Sequence, residues 1–168
     1  VGIPMPIDAC QEEVLLSTTI LEQRRIEAEI LGLVYARMRA EFGPETALRI
    51  LDETIENAAI AHGRGLAAQN EGETSLQSFI DMQHLWSAGG ALEVEIDVQE
   101  ADRFEFRVTR CKYAEMYREM DLGEIGASLS CARDGKMCEG YDARLKLTRT
   151  QTIMDGAAHC DFKFRYVP

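Results

Sequence analysis

The spacing of apolar residues changes at Gly89-Gly90, and this change restricts the folds open to the chain more than any other feature. Before it, apolar residues recur at helical intervals. After it, Leu92, Val94, Ile96 and Val98 alternate with Glu93, Glu95, Asp97 and Gln99, and alternation resumes in Phe104, Phe106 and Val108 beyond Glu100-Ala101-Asp102. Residues 92–99 and 103–110 therefore read as an antiparallel hairpin. A second hairpin is predicted from 144–153 and 158–167 across the turn at Asp155-Gly156. On its last strand Cys160, Phe162, Phe164 and Tyr166 share one face, and His159, Asp161, Lys163 and Arg165 the other. Helices first and strands mostly later predict an α+β fold, with N-terminal helices packed on a C-terminal antiparallel sheet of about four strands.

In the first half, residues 9–41 have the spacing of one long helix with Ile26, Ile30, Leu33, Val34, Met38 and Phe42 as its apolar stripe. Gly43-Pro44 ends it, and Pro44 suits the first turn of a second helix whose stripe is Leu48, Leu51, Ile55, Ala58, His62 and Leu66. Gly63-Arg64-Gly65 is expected to loosen its last turns. Thr74 with Gln77 fits a capping box for a shorter helix through Leu76, Phe79 and Ile80. After Arg110-Cys111 the period is helical again, through Tyr113, Met116, Tyr117 and Met120 and in a segment from Glu124 to Ala132. Asp134-Gly135 then precedes an expected irregular loop holding Cys138 and Gly140. One domain is expected over 1–168, mainly helical over 1–88 and mainly sheet over 89–168, since 168 residues at 46% apolar content supply one ordinary core.

A formal net charge of −11, with acidic residues spread throughout, lacks the basic footprint that nucleic acid or an anionic membrane requires. No run approaches the roughly 18 apolar residues of a membrane span, and the first residues lack the basic-then-apolar plan of a signal peptide. A cytoplasmic protein with a small-molecule substrate, no nucleic acid and no membrane is expected; self-association into a homo-oligomer is left open. The five cysteines, Cys10, Cys111, Cys131, Cys138 and Cys160, are odd in number and argue for free thiols or ligands rather than a disulfide framework. The last four are separated by 20, 7 and 22 residues, spacings foreign to zinc ribbons and fingers. No cofactor is expected, with zinc left as an alternative.

Nucleophilic catalysis needs a thiolate, a group that lowers its pKa or takes its proton, and donors for the developing charge. Cys160 begins a strand directly after a turn, where loops gather, and its face continues into an apolar wall. His159 and Asp161 flank it but project to the opposite face, so a base must arrive from elsewhere, with Asp134, His62 and His84 as candidates. Cys111 stands at a strand-to-helix junction, where helix amides and the flanking Arg110 and Lys112 favour a thiolate, although its helix start is expected to face outward. Cys131 and Asp134 share a helix face if the helix continues past Ala132. A buried, inert thiol is the competing reading for each cysteine.

Five motifs, taken together, resemble the L-2-amino-thiazoline-4-carboxylic acid hydrolase family over roughly Gly32 to Tyr166. They are Arg110-Cys111 with Tyr113-Ala114; Cys131 with Asp134; Leu147-Thr148-Arg149-Thr150-Gln151-Thr152-Ile153-Met154; Gly156; and His159-Cys160-Asp161-Phe162. The chain departs from the family pattern at Gly140-Tyr141-Asp142-Ala143, where Asn-Pro is expected ahead of the last hairpin. The resemblance implies hydrolytic opening of a small carboxylate-bearing heterocycle, a cyclic amidine or isothiourea, by cysteine attack. The catalytic candidates are Cys160 as nucleophile, then Cys111, Asp134, His159 and Cys131; the substrate-binding candidates are Arg149 and Arg110 as a guanidinium clamp, with Thr150 and His62. The alternative is a small-molecule-binding or sensing module in which cysteines hold a structural metal.

Overall fold

The computed structural model describes residues 18–167. In chain order the elements are α1 (Ile20–Phe42), α2 (Pro44–Gln69), α3 (Leu76–Asp81), α4 (His84–Ser87), β1 (Leu92–Gln99), β2 (Arg103–Cys111), α5 (Lys112–Glu119), α6 (Gly123–Gly126), α7 (Ala132–Tyr141), β3 (Leu145–Thr148) and β4 (Cys160–Tyr166). A single π-helical turn, Ala127–Cys131, joins α6 to α7. This is the expected α+β architecture, but with a helical excursion over 112–141 between the two central strands. No helix of the described residues is long and apolar enough to cross a membrane.

Among the described residues, four strands form one sheet in the order β1-β2-β4-β3, each neighbouring pair antiparallel. Phe104 lies opposite Phe164, Phe106 opposite Phe162 and Val108 opposite Cys160. These residues all face the helices, and the Phe106 and Phe162 rings stack with centroids 4.8 Å apart. The opposite face is ionic, with Arg165 on Glu105 at 2.8 Å and Arg107 on Asp97 at 2.9 Å. Alternation along β2 and β4 thus sorts core from solvent as predicted. Edge strand β1 does not follow it: Val94 and Ile96 are exposed, at 40% and 59%.

The predicted second hairpin is shorter than expected. Pairing of β3 with β4 ends at Thr148 opposite Lys163, because Asp161 then takes over the backbone. Its carboxylate accepts from the amides of Thr150 and Gln151 at 2.8 and 2.9 Å and from the Thr150 hydroxyl at 2.8 Å. Residues 149–159 leave the sheet as a loop that returns to Cys160.

The helical stripes are rotated from their predicted faces. On α1, Ile26, Ile30, Leu33 and Val34 point outward, while Arg24, Ala28 and Tyr35 are buried. Both faces satisfy the helical period, but the inward one carries small residues that allow close approach, and Gly32 meets the Leu122 side chain. The expected start of this helix, 9–17, lies outside the described residues. On α2 the buried line is Ala47, Leu51, Ile55, Ala59 and Gly63. Nor does α2 loosen at Gly63. That glycine is the contact with α7, where an added Cβ would overlap Met137 O, and one on Gly140 would overlap Ile60 O. The expected loop around Cys138 is therefore helix α7, with Cys138 buried against the sheet.

The shorter helix is capped one residue later than predicted, by Ser75 with Ser78. Thr74 instead donates its hydroxyl to Asp142 at 2.8 Å, and Tyr166 and Arg144 bind the same carboxylate. The segment that departs from the family pattern is thus a structural clamp outside the cavity described below. Two apolar clusters result among the described residues. In one, α2, α3 and α7 cover the sheet; in the other, α1, α2 and α5 pack beyond its end. Leu92 and Cys111 touch both.

Candidate active site

Where the helices meet that end of the sheet, they enclose a cavity of about 70 Å³, room for several waters or one small ring. The thiols of Cys111, Cys131 and Cys160, far apart in sequence, all line it, together with Asp134, Arg149 and His62. Antiparallel pairing accounts for two of them: Cys111 is the last residue of β2 and Cys160 the first of β4, so both lie at one sheet end. Cys131 and Asp134 arrive from the π turn and the first turn of α7, one helical turn apart. Trp86, Val108, Met137 and Phe162 supply apolar wall.

The π turn is fixed by two arginines. The Ala132 amide reaches back to Ala127 O. Within the turn, Leu129 O accepts from Arg133 Nε at 2.8 Å and Cys131 O from Arg149 Nη2 at 3.0 Å. Side chains inserted into the carbonyl ladder are a common cause of such bulges, which concentrate at functional sites. Arg149 also forms an ion pair with Asp134 and lies over the Phe162 ring at 4.9 Å, so it is held on three sides.

Burial raises the pKa of each cavity thiol. For Cys160 it outweighs the lowering by the Ile153 amide and Arg149. For Cys111 it outweighs the Ala114 and Tyr113 amides at the start of α5. Cys131 is pushed up to about 12 by burial and Asp134. The depressed pKa expected of Cys111 is therefore not found. Arg110 is drawn to Glu115 at 2.8 Å and Lys112 to Gly89 O at 3.1 Å, while the thiol faces the cavity rather than outward. Burial also raises the Asp134 carboxyl, against the pull of Arg149. His62 is lowered by burial and by Arg24 and Arg133, which favours neutral imidazole.

Four sequence candidates lie elsewhere. Arg110 is exposed on β2, bound to Glu115, and does not line the cavity. Thr150 commits its amide and hydroxyl to Asp161. His159 projects from the opposite sheet face beside Asp97 and Lys163, as alternation demands of a neighbour of Cys160. His84 binds Asp81 O at the surface.

Two cavity residues escaped sequence reasoning, Arg24 and Arg133. An arginine in an amphipathic helix reads as a solvated position, yet Arg24 is 7% exposed. The available signal was Glu27, one turn further along α1, which pairs with both guanidiniums. Among the described residues, no three His, Cys, Asp or Glu side chains converge as metal ligands.

A family model described as L-2-amino-thiazoline-4-carboxylic acid hydrolase matches residues 23–164. No curated protein matches the chain. Among solved structures, the phenol-responsive sensory domain of the transcription activator PoxR, determined with phenol, is similar in fold, with a TM-score of 0.51 and 13% identity over 82% of this chain and 73% of that one. The family match runs from the first turn of α1 into β4 and takes in every cysteine, carboxylate and guanidinium placed around the cavity. The chain belongs to the L-2-amino-thiazoline-4-carboxylic acid hydrolase family.

Proposed function

We propose that the protein is a cysteine-dependent hydrolase that opens a small carboxylate-bearing cyclic amidine or isothiourea of the 2-amino-thiazoline-4-carboxylate kind. The observation that carries this reading is the convergence of three thiols on one cavity beside a partly buried carboxylate–guanidinium pair. Protonated thiols suit such a substrate. The ring amidine is basic, so proton transfer from thiol to ring nitrogen creates a nucleophile and an electrophile at once.

In this mechanism Cys160 Sγ, positioned by the Ile153 amide at 3.2 Å, attacks the carbon between nitrogen and sulfur. The ring C–S bond breaks and the substrate sulfur leaves as a thiolate that takes up a proton. One thiol displaces another of similar basicity, so the exchange is nearly balanced in energy. Water then attacks the enzyme-bound isothiouronium carbon, forming the urea and returning the Cys160 thiol; the sum is addition of one water to yield a carbamoyl-cysteine. Asp134 accepts hydrogen bonds from the amidinium, and Arg149 holds Asp134 in place. Cys111 faces the same space from the start of α5 and is the alternative nucleophile.

A second reading is a ligand-binding module without turnover. It is favoured by the fold shared with a sensory domain and by the apolar cavity wall. Incubation with L-2-amino-thiazoline-4-carboxylate, followed by thiol titration and mass analysis of the product, separates the two. Stoichiometric appearance of thiol and carbamoyl-cysteine supports the hydrolase, whereas saturable binding without new thiol supports the module. A panel of cyclic amidines, thiazolines and lactams then defines the ring.

A further inference from the structure

Arg24 and Arg133 form one end of the cavity, and they share a single carboxylate. Arg24 Nη1 donates to both Glu27 oxygens at 2.8 and 2.9 Å, and Arg133 Nη2 donates to Glu27 Oε2 at 2.9 Å. The arginine side chains are 8% and 11% exposed, but Glu27 is 39% exposed. Two nearly buried cations thus share one acid that stands at the surface, which leaves the group with a net positive charge. Beyond them a groove of about 490 Å³ runs along α1 and α2, and Arg24, His62 and Arg133 form its common wall with the cavity. Burial and the two arginines lower the His62 pKa and favour its neutral form, so it adds no third positive charge there.

We propose that Arg24 and Arg133 are a carboxylate-binding subsite, that Glu27 occupies it in the free protein, and that a ligand's carboxylate displaces Glu27 on passing from the groove into the cavity. Guanidinium pairs bind carboxylates through paired N–H donors, and a half-exposed glutamate gives up such contacts to water with little loss. Asp134 lies at the Arg149 side of the cavity, so the ligand class is a small ring bearing a carboxylate at one end and a hydrogen-bond donor at the other. The ring identity rests on the hydrolase reading; the anion subsite does not.

Calorimetric titration of the full chain tests this with L-thiazolidine-4-carboxylate, whose saturated ring lacks the reactive amidine carbon, and with its carboxamide; benzoate and benzamide form a second pair. The carboxylate is expected to bind at least about tenfold more tightly than its amide. Arg24→Gln and Arg133→Gln are each expected to erase that preference, and Glu27→Gln to tighten carboxylate binding several-fold by removing the competitor. Preference in the benzoate pair alone retains the subsite while counting against the ring reading. Equal binding of acid and amide, no binding of either acid, a preference that survives both arginine substitutions, or weaker binding by Glu27→Gln overturns the proposal.

Discussion

The backbone amide of Ile153 donates to Cys160 Sγ at 3.2 Å. The loop between β3 and β4 is thereby tied to the thiol into which it leads, and a donor aimed at sulfur stabilises the thiolate when it forms. Arg118 fastens the other side of the loop through the Ile153 carbonyl.

Cys160→Ser is expected to lower single-turnover ring opening by about 10³-fold or more, and Cys111→Ser by no more than about tenfold, with circular dichroism unchanged in both. The reverse ranking assigns the nucleophile to Cys111.

Thiol reactivity should report the burial. With raised pKa values, Cys160, Cys111 and Cys131 are protonated at neutral pH, so iodoacetamide alkylation should be slow there and accelerate as pH rises, with Cys131 last. Arg149→Met removes a cation that lowers the Cys160 pKa and should move its alkylation profile to higher pH. Peptide mapping of alkylated protein across a pH series reads both effects; a fast-reacting Cys160 at pH 7 would contradict the assigned protonation state.

Asp161 governs where the sheet ends. Burial works to raise its pKa, but the Thr150 amide and hydroxyl, the Gln151 amide and Lys163 hold it well below the usual carboxylate range. A depressed folded pKa means that this stabilisation is complete above the unfolded value of about 3.9 and is lost as pH falls below it. Asp161→Asn should lower stability at pH 7 by about 1–3 kcal/mol. In urea unfolding, the difference from the parent protein should shrink at strongly acidic pH.

The crossing of α2 and α7 gives a sharper contrast. Gly63→Ala and Gly140→Ala drive a methyl group into the backbone carbonyls of Met137 and Ile60, and should each destabilise by about 3 kcal/mol or more, or prevent folding. Gly65→Ala, with nothing within 4 Å of the added carbon, should stabilise by about 0.5–1 kcal/mol. Thermal melts of Gly65→Ala and Gly63→Ala should move in opposite directions.

Much of this architecture is written in local pattern. The period change after Gly90 gives helices before strands, and the turn at 100–102 gives the hairpin of β1 and β2. The alternation through 160–166 places Cys160 on the core face and His159 off it, because a pleated strand leaves adjacent residues no choice of side. The motifs around Cys111, Cys131 and Cys160 likewise single out three of the residues that line the cavity.

Tertiary structure decided the rest, for reasons local pattern does not hold. Which face of α1 turns inward depends on what it packs against, so Ala28, Gly32 and Tyr35 face the core while the more apolar Ile30 and Leu33 meet solvent. Gly63, a weak helix residue in isolation, is required because α7 crosses at backbone distance. Arg24 and Arg133 come from helices more than a hundred residues apart and belong to one site only because the shared carboxylate of Glu27 offsets the cost of burying them. A sequence states the charge and the period of each segment; it does not state which distant charge will be its partner once water has been excluded.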